Sequence, residues 1–259
     1  MIALPSFFRK TALLSLFTAY ALSALAQTKP KTYTFLIYHK LNPGLTVQDA
    51  LSVEREWRKV NQAAVDEGKL EGWYMTVKQF TSNPNQTEYD YVTKIVTSEM
   101  AIKGASPEAM ARMYGDSVKA KMADLGRRDR ATAPVIKMEI WENTDAAFDP
   151  KFAPDGTQLM VVDRLQRRNP LASVDLSPLK RLSDERIRKN TLLGWDFSAL
   201  AVPNGSEKGY EFTSTQYVSN MSALADPAYK QFRTQINQTF DVVRQEIYRF
   251  QEFTVKPGK

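Results

Sequence analysis

The chain has 259 residues, no cysteine, and 35 basic against 29 acidic side chains, a formal net charge of +6. Without cysteine it has neither a disulfide framework nor thiolate chemistry. Its basic clusters, Arg127-Arg128-Asp129-Arg130 and Arg167-Arg168, are short and carry no stacking aromatics, which argues against a nucleic-acid interface.

The first 26 residues have the layout of an export signal. Arg9 and Lys10 form a basic n-region, Thr11 to Leu22 a short apolar core, and Ala24-Leu25-Ala26 a small-x-small cleavage site. The apolar core is too short to cross a bilayer, which needs about 20 residues. Cleavage after Ala26 would leave a periplasmic or secreted protein beginning at Gln27, with no membrane association. Losing Arg9 and Lys10 leaves 33 basic against 29 acidic residues. The remaining length suffices for one large domain or two small ones.

Thr32 to Lys40 alternates as a strand, with Tyr33, Phe35, Ile37 and His39 on one face and Thr34, Leu36, Tyr38 and Lys40 on the other. Asn42-Pro43-Gly44 turns the chain. Thr46, with Asp49 three residues on, caps a helix whose apolar stripe includes Leu51, Trp57, Val60 and Val65. Trp73 to Phe80 and Tyr89 to Thr97 read as a hairpin with a long connection. Ser106-Pro107 opens a second helix, with Gly126 as its expected stop. Val135 to Glu142 is a fourth strand, with Ile136, Met138 and Ile140 on one face and Lys137, Glu139 and Trp141 on the other.

Asn143 to Gly156 contains Asp149-Pro150, Pro154 and Asp155-Gly156 and reads as a linker. The order then repeats. A strand spans Leu159 to Leu165 and a helix runs from Pro178 to about Asn190. Strands follow over Trp195 to Val202 and Tyr210 to Ser219. Asp226-Pro227 opens a helix whose stripe runs from Tyr229 through Phe232, Ile236 and Phe240 to Val243, and Glu246 to Val255 closes as a strand.

Each half is therefore β-α-β-β-α-β, the ferredoxin-like split unit. Gly72-Trp73 matches Gly194-Trp195, and Leu36 to Lys40 matches Met160 to Arg164. The expected architecture is α+β: two ferredoxin-like units in tandem forming an intrachain α/β barrel. The divisions are residues 1–26 (signal), 27–148 (first unit), 149–156 (linker) and 157–259 (second unit). A lone unit would leave a bare sheet face of large side chains, and pairing two such faces would bury them.

This duplicated order, with its Gly-Trp repeat, resembles the dimeric α/β-barrel superfamily, and within it an uncharacterised exported bacterial group. The resemblance spans nearly all of the mature sequence but includes no catalytic motif. It implies a barrel with helices outside. The superfamily includes cofactor-free monooxygenases, haem-binding enzymes and lactone isomerases. In its haem-binding members the axial histidine usually comes from a helix, whereas His39 falls on a strand.

His39 is the sole histidine and the natural candidate for a proton carrier near neutral pH. Its counterpart in the second half is Asp163. No second histidine, cysteine or carboxylate stands near it at metal-ligand spacing along the chain, so no metal is assigned. Glu139 would face the lumen, where burial raises a carboxyl pKa and suits it to proton transfer; a cross-strand ion pair with Lys94 or Lys78 is the alternative. Tyr38, Tyr91, Trp141 and Tyr217 are candidate ligand-binding residues of the lumen. Trp73 and Trp195 are either pocket walls or core, and their repetition points to a fold requirement.

Dinucleotide, P-loop, nucleophile-elbow and Cys-x-x-Cys signatures are missing from the sequence, and no cofactor is assigned. The first expectation is a lumen that binds a small apolar or aromatic ligand. The alternatives are cofactor-independent oxygenation or proton transfer there, with His39 or Glu139 as base, and an inert, filled barrel with a structural role. Homo-oligomerisation stays open.

Overall fold

Side-chain alternation in β1 (Thr32–His39) separates two environments. Phe35 packs outward beneath the helices, whereas Leu36 and Tyr38 pack inward with residues from distant strands. The computed structural model describes residues 31–85, 87–205 and 208–256; the expected signal segment and its cleavage site lie outside them.

β1 is followed by α1 (Val47–Asp66), β2 (Gly72–Thr81) and β3 (Tyr91–Thr97). Next come α2 (Pro107–Tyr114), a 3-10 turn at Gly115–Ser117, α3 (Val118–Thr132) and β4 (Val135–Phe148). The later residues form β5 (Leu159–Arg167), α4 (Ser177–Arg188), β6 (Gly194–Val202), β7 (Phe212–Val218), α5 (Pro227–Thr239) and β8 (Phe240–Phe253).

The strands close into one barrel in the order β1-β3-β2-β8-β5-β7-β6-β4. Every neighbouring pair is antiparallel. The first four strands run β4-β1-β3-β2 and the last four β8-β5-β7-β6. The β2–β8 and β4–β6 ladders join them, so no sheet edge is left unpaired.

Local chemistry starts the helices where the sequence indicates. The Asp49 carboxylate accepts the Thr46 amide and hydroxyl protons, both at 2.7 Å. Ser106 Oγ accepts from the Ala109 amide and Asp226 from that of Ala228, each just ahead of a first-turn proline.

Four sequence expectations are corrected. Gly126 does not stop a helix; it lies inside α3. The break falls at Gly115, which takes the left-handed φ of 56° that glycine tolerates. Residues Asn143–Phe148 belong to β4 rather than a linker, because they pair with Gly194–Ser198 of β6 to close the barrel. Phe240 and Val243 lie in β8 rather than the last helix, since Phe240 pairs with Arg167 of β5. Ile136 and Met138, expected beneath helices, are 48% and 45% exposed; α1 packs over β2 and leaves the start of β4 uncovered.

Two apolar cores lie between sheet and helices. One gathers Phe35, Leu51, Val65, Trp73 and Met75; the other gathers Leu165, Leu179, Trp195, Phe197 and Phe232. A third, including Leu36, Tyr38, Trp141, Met160 and Tyr248, lines the lumen. Eight strands enclose a space that side chains can nearly fill, so any ligand cavity depends on where the filling stops.

Candidate functional site in the barrel lumen

One end of the lumen is filled by a charged network. Glu139 (β4) is fully buried. Its carboxylate accepts hydrogen bonds from Tyr210 at 2.6 Å, Tyr38 at 2.7 Å, Lys208 at 3.1 Å and Trp141 Nε1 at 3.2 Å. Lys137 adds an ion pair at 3.2 Å. Arg164 (β5) donates to Tyr38 Oη at 2.6 Å and lies 4.0 Å from both Glu139 and Glu246. Tyr89 and Tyr248 donate to Glu246 in turn. Among the described residues, buried Arg164 Nη1 has no hydrogen-bond partner.

The expected protonation of Glu139 is corrected by this network. Burial alone would raise its pKa, but Arg164, Lys137 and the two tyrosine hydroxyls outweigh burial and hold it well below the ordinary carboxylate range. It is a fixed anion, unsuited to accepting a proton near neutral pH. Neither lysine expected beside it is its partner. Lys94 and Glu139 both stand opposite Leu36, one on each neighbouring strand, so Leu36 separates them. Lys78 instead lies over the Tyr89 ring, 4.0 Å from its centroid.

The other end is open. A cavity of about 240 Å³ is walled by Tyr74, Phe148, Phe152, Tyr217 and Phe250, with Lys94 and Asp196 among its polar groups. It shares Thr34, Lys94 and Asp196 with a narrower inner space of about 30 Å³, which reaches Trp141 and Arg164. Tyr217 donates to Asp196 at 2.6 Å, and Lys94 Nζ reaches Tyr217 Oη at 3.4 Å. Burial lowers the Lys94 pKa; Asp196 works to raise it and Arg164 to lower it. Among the described residues no carboxylate forms an ion pair with Lys94.

The Gly-Trp repeat shapes this mouth. At Gly72 a Cβ would meet the Tyr74 ring, its hydroxyl 2.3 Å away; at Gly194 it would meet the Phe148 ring, with Cδ1 at 2.2 Å. Each glycine thus lets an aromatic wall of the cavity lie across bare backbone. The tryptophans that follow point the other way. Trp73 and Trp195 are 2% and 0% exposed in the two helix-side cores, and Trp195 Nε1 donates to Ser214 at 3.0 Å.

Of the residues singled out from sequence, Tyr38, Glu139, Trp141 and Tyr217 meet in the lumen. His39, Trp73, Tyr91 and Trp195 do not. Tyr91, expected inside, faces the helices and stacks on His39, with centroids 4.5 Å and planes 3° apart. It pairs with His39 across the β1–β3 ladder, and paired residues share a face. Both His39 nitrogens are engaged, Nδ1 with Ala133 O at 3.1 Å and Nε2 with Thr93 Oγ1 at 2.9 Å. Burial lowers its pKa to about 4, against the raising effect of the Ala133 carbonyl.

Sequence reading missed Arg164, Asp196, Glu246 and Lys94's place in the cavity. Their signal was parity: each lies an even number of residues from a lumen residue on its own strand, as Arg164 does from Val162 and Glu246 from Tyr248.

Solved structures share this fold. A candidate monooxygenase from Fusobacterium nucleatum superposes with a TM-score of 0.55 at 9% identity, covering 88% of this chain and 95% of that one. The chain shares that protein's fold, a closed eight-stranded α+β barrel. A candidate chlorite dismutase, TA0507, follows at a TM-score of 0.48 and 13% identity, covering 86% of this chain and 95% of that one. A candidate monooxygenase from Lactobacillus acidophilus gives 0.47 and 10%, covering 88% and 97%. No protein-family model matches the chain, and no curated protein matches it in sequence. Among the described residues no helix is long and apolar enough to cross a membrane.

Proposed function

We propose that the lumen binds a small ligand with an aromatic or apolar body and an anionic group. The body fits between the rings of Phe148, Phe152, Tyr217 and Phe250, and the anion meets Lys94. The observation that carries this reading is an ammonium that forms no ion pair among the described residues, at the base of an aromatic-walled cavity. Such a group gains most from a charged partner where water is scarce.

Calorimetric titration with a panel of small aromatic carboxylates tests it. At least one should bind, and Lys94→Met should weaken that ligand at least about 10-fold, the equivalent of about 1.4 kcal/mol. No binding across the panel, or equal binding by the variant, would sink the reading. Native mass spectrometry of protein purified from its source would identify the natural occupant.

Proton-transfer chemistry in the same cavity is the second reading. Its support is Lys94, which burial makes readier to lose its proton, and the likeness in fold to a protein described as a candidate monooxygenase. We also propose that the two halves arose by tandem duplication with a division near residues 149–156, supported by their identical strand order and the twin Gly-Trp corners. Export with cleavage after Ala26 rests on the signal-like leader alone.

A further inference from the structure

Outside the barrel, between β1 and β3 on one side and α1 and α3 on the other, His39, Glu54 and Asp129 converge. One ligand-capable atom from each lies within 4.8 Å of the other two. All three line a single cavity of about 410 Å³, whose rim includes the exposed Ile102 and Val135. The cavity is separate from the lumen, because His39 and its β3 partner Tyr91 face away from it.

We propose that His39, Glu54 and Asp129 bind one divalent first-row transition ion, with Zn²⁺ as the natural probe.

The donor set is one imidazole and two carboxylates, which suits such an ion better than Mg²⁺ or Ca²⁺, which prefer oxygen alone. Three protein ligands with an adjoining cavity leave a coordination position open. The surroundings supply outer contacts for each ligand. Tyr91 donates to Glu54 Oε1 at 2.8 Å, and Trp57 hydrogen-bonds Asp129. A metal on either His39 nitrogen would displace one ring partner, Ala133 O or Thr93 Oγ1, and leave the other holding the ring.

Charge gives the second line of argument. Glu54 is 1% exposed, and among the described residues neither it nor Asp129 has an ion-pairing cation. Buried carboxylates are normally paired or bound to metal. The second half shows the usual solution: Asp163, the counterpart of His39, is buried against Arg233. In the first half the matching site brings two carboxyls and a histidine together; among the described residues neither carboxyl forms an ion pair, and Arg130 is near enough only to lower the Asp129 pKa.

Tetrahedral ligands at about 2.1 Å from zinc stand roughly 3.4 Å apart. The cluster must therefore close by at most about 1.4 Å. The 410 Å³ cavity leaves the two carboxylates room for that movement.

The test is Zn²⁺ titration of the full chain after chelator treatment, by calorimetry and by metal analysis of the dialysed protein. We expect one ion per chain, with affinity at least about 10-fold weaker in Glu54→Gln and Asp129→Asn, since even outer contacts are worth 10- to 100-fold. Glutamine keeps the shape of Glu54 and an oxygen to accept the Tyr91 hydroxyl, so the variant should fold. Circular dichroism checks folding, and Asp129→Asn, at a less buried position, gives the same answer independently. Co²⁺ in place of Zn²⁺ should give a visible spectrum altered by His39→Gln. No stoichiometric binding, or binding by both carboxamide variants equal to the parent, would overturn the proposal.

Discussion

Phe148 lies across Gly194 in the β4–β6 ladder, its ring occupying the space a Cβ would need. Gly194→Ala must push the ring aside, because Cδ1 would stand 2.2 Å away. The expected cost is about 1–3 kcal/mol by denaturant unfolding, together with weaker binding of any ligand held at the mouth. A variant as stable as the parent would show that the ring moves freely and is not a fixed wall.

Glu139→Gln removes the anion that three buried or half-buried cations share. Leaving such charges uncompensated costs about 3–5 kcal/mol. The pH dependence follows from the lowered pKa. The folded value lies below the ordinary 4.5, so the unfolded chain binds the proton more tightly. The stabilisation is complete above that ordinary value and is lost as pH falls toward the depressed one. Urea midpoints measured from pH 6 down to pH 3 should therefore drop less steeply in Glu139→Gln than in the parent. Parallel curves would mean that other carboxylates govern acid unfolding.

Trp195→Ala separates core from pocket. The side chain is fully buried against α5, 6.4 Å from the Phe232 ring centre, so the loss should be about 3–5 kcal/mol. Where the variant stays folded, ligand affinity in the lumen should match the parent. Tyr217→Ala should show the reverse pattern, a smaller loss of stability and a larger loss of binding. If Trp195→Ala weakened binding at unchanged stability, the tryptophan would be acting on the ligand and not on the core.

Much of the fold was legible because period-two patterns and helix caps are local. Thr46, Ser106 and Asp226 each mark a helix start by side-chain chemistry within three residues. Strand lengths were less so: β4 continues through the polar Asn143-Thr144-Asp145 because β6 supplies its partners, a tertiary cause with no local sign. Alternation put Glu139 and Trp141 on the inner face, yet gave no hint of charge state, which depends on Arg164, Lys208 and Tyr210 arriving from elsewhere. His39 shows the same limit. Its neighbours Glu54 and Asp129 come from two different helices, 15 and 90 residues further on, so no short ligand spacing could reveal them.

β8 sits between β2 and β5, paired with β5 over Phe240–Arg249 and with β2 over Glu246–Phe253. The barrel is therefore sealed by the last of its eight strands in chain order. Until it arrives, β2 and β5 each present an open edge and the lumen side chains face solvent. A chain cut short before Phe240 would not be a smaller barrel; it would be an aggregation-prone open sheet.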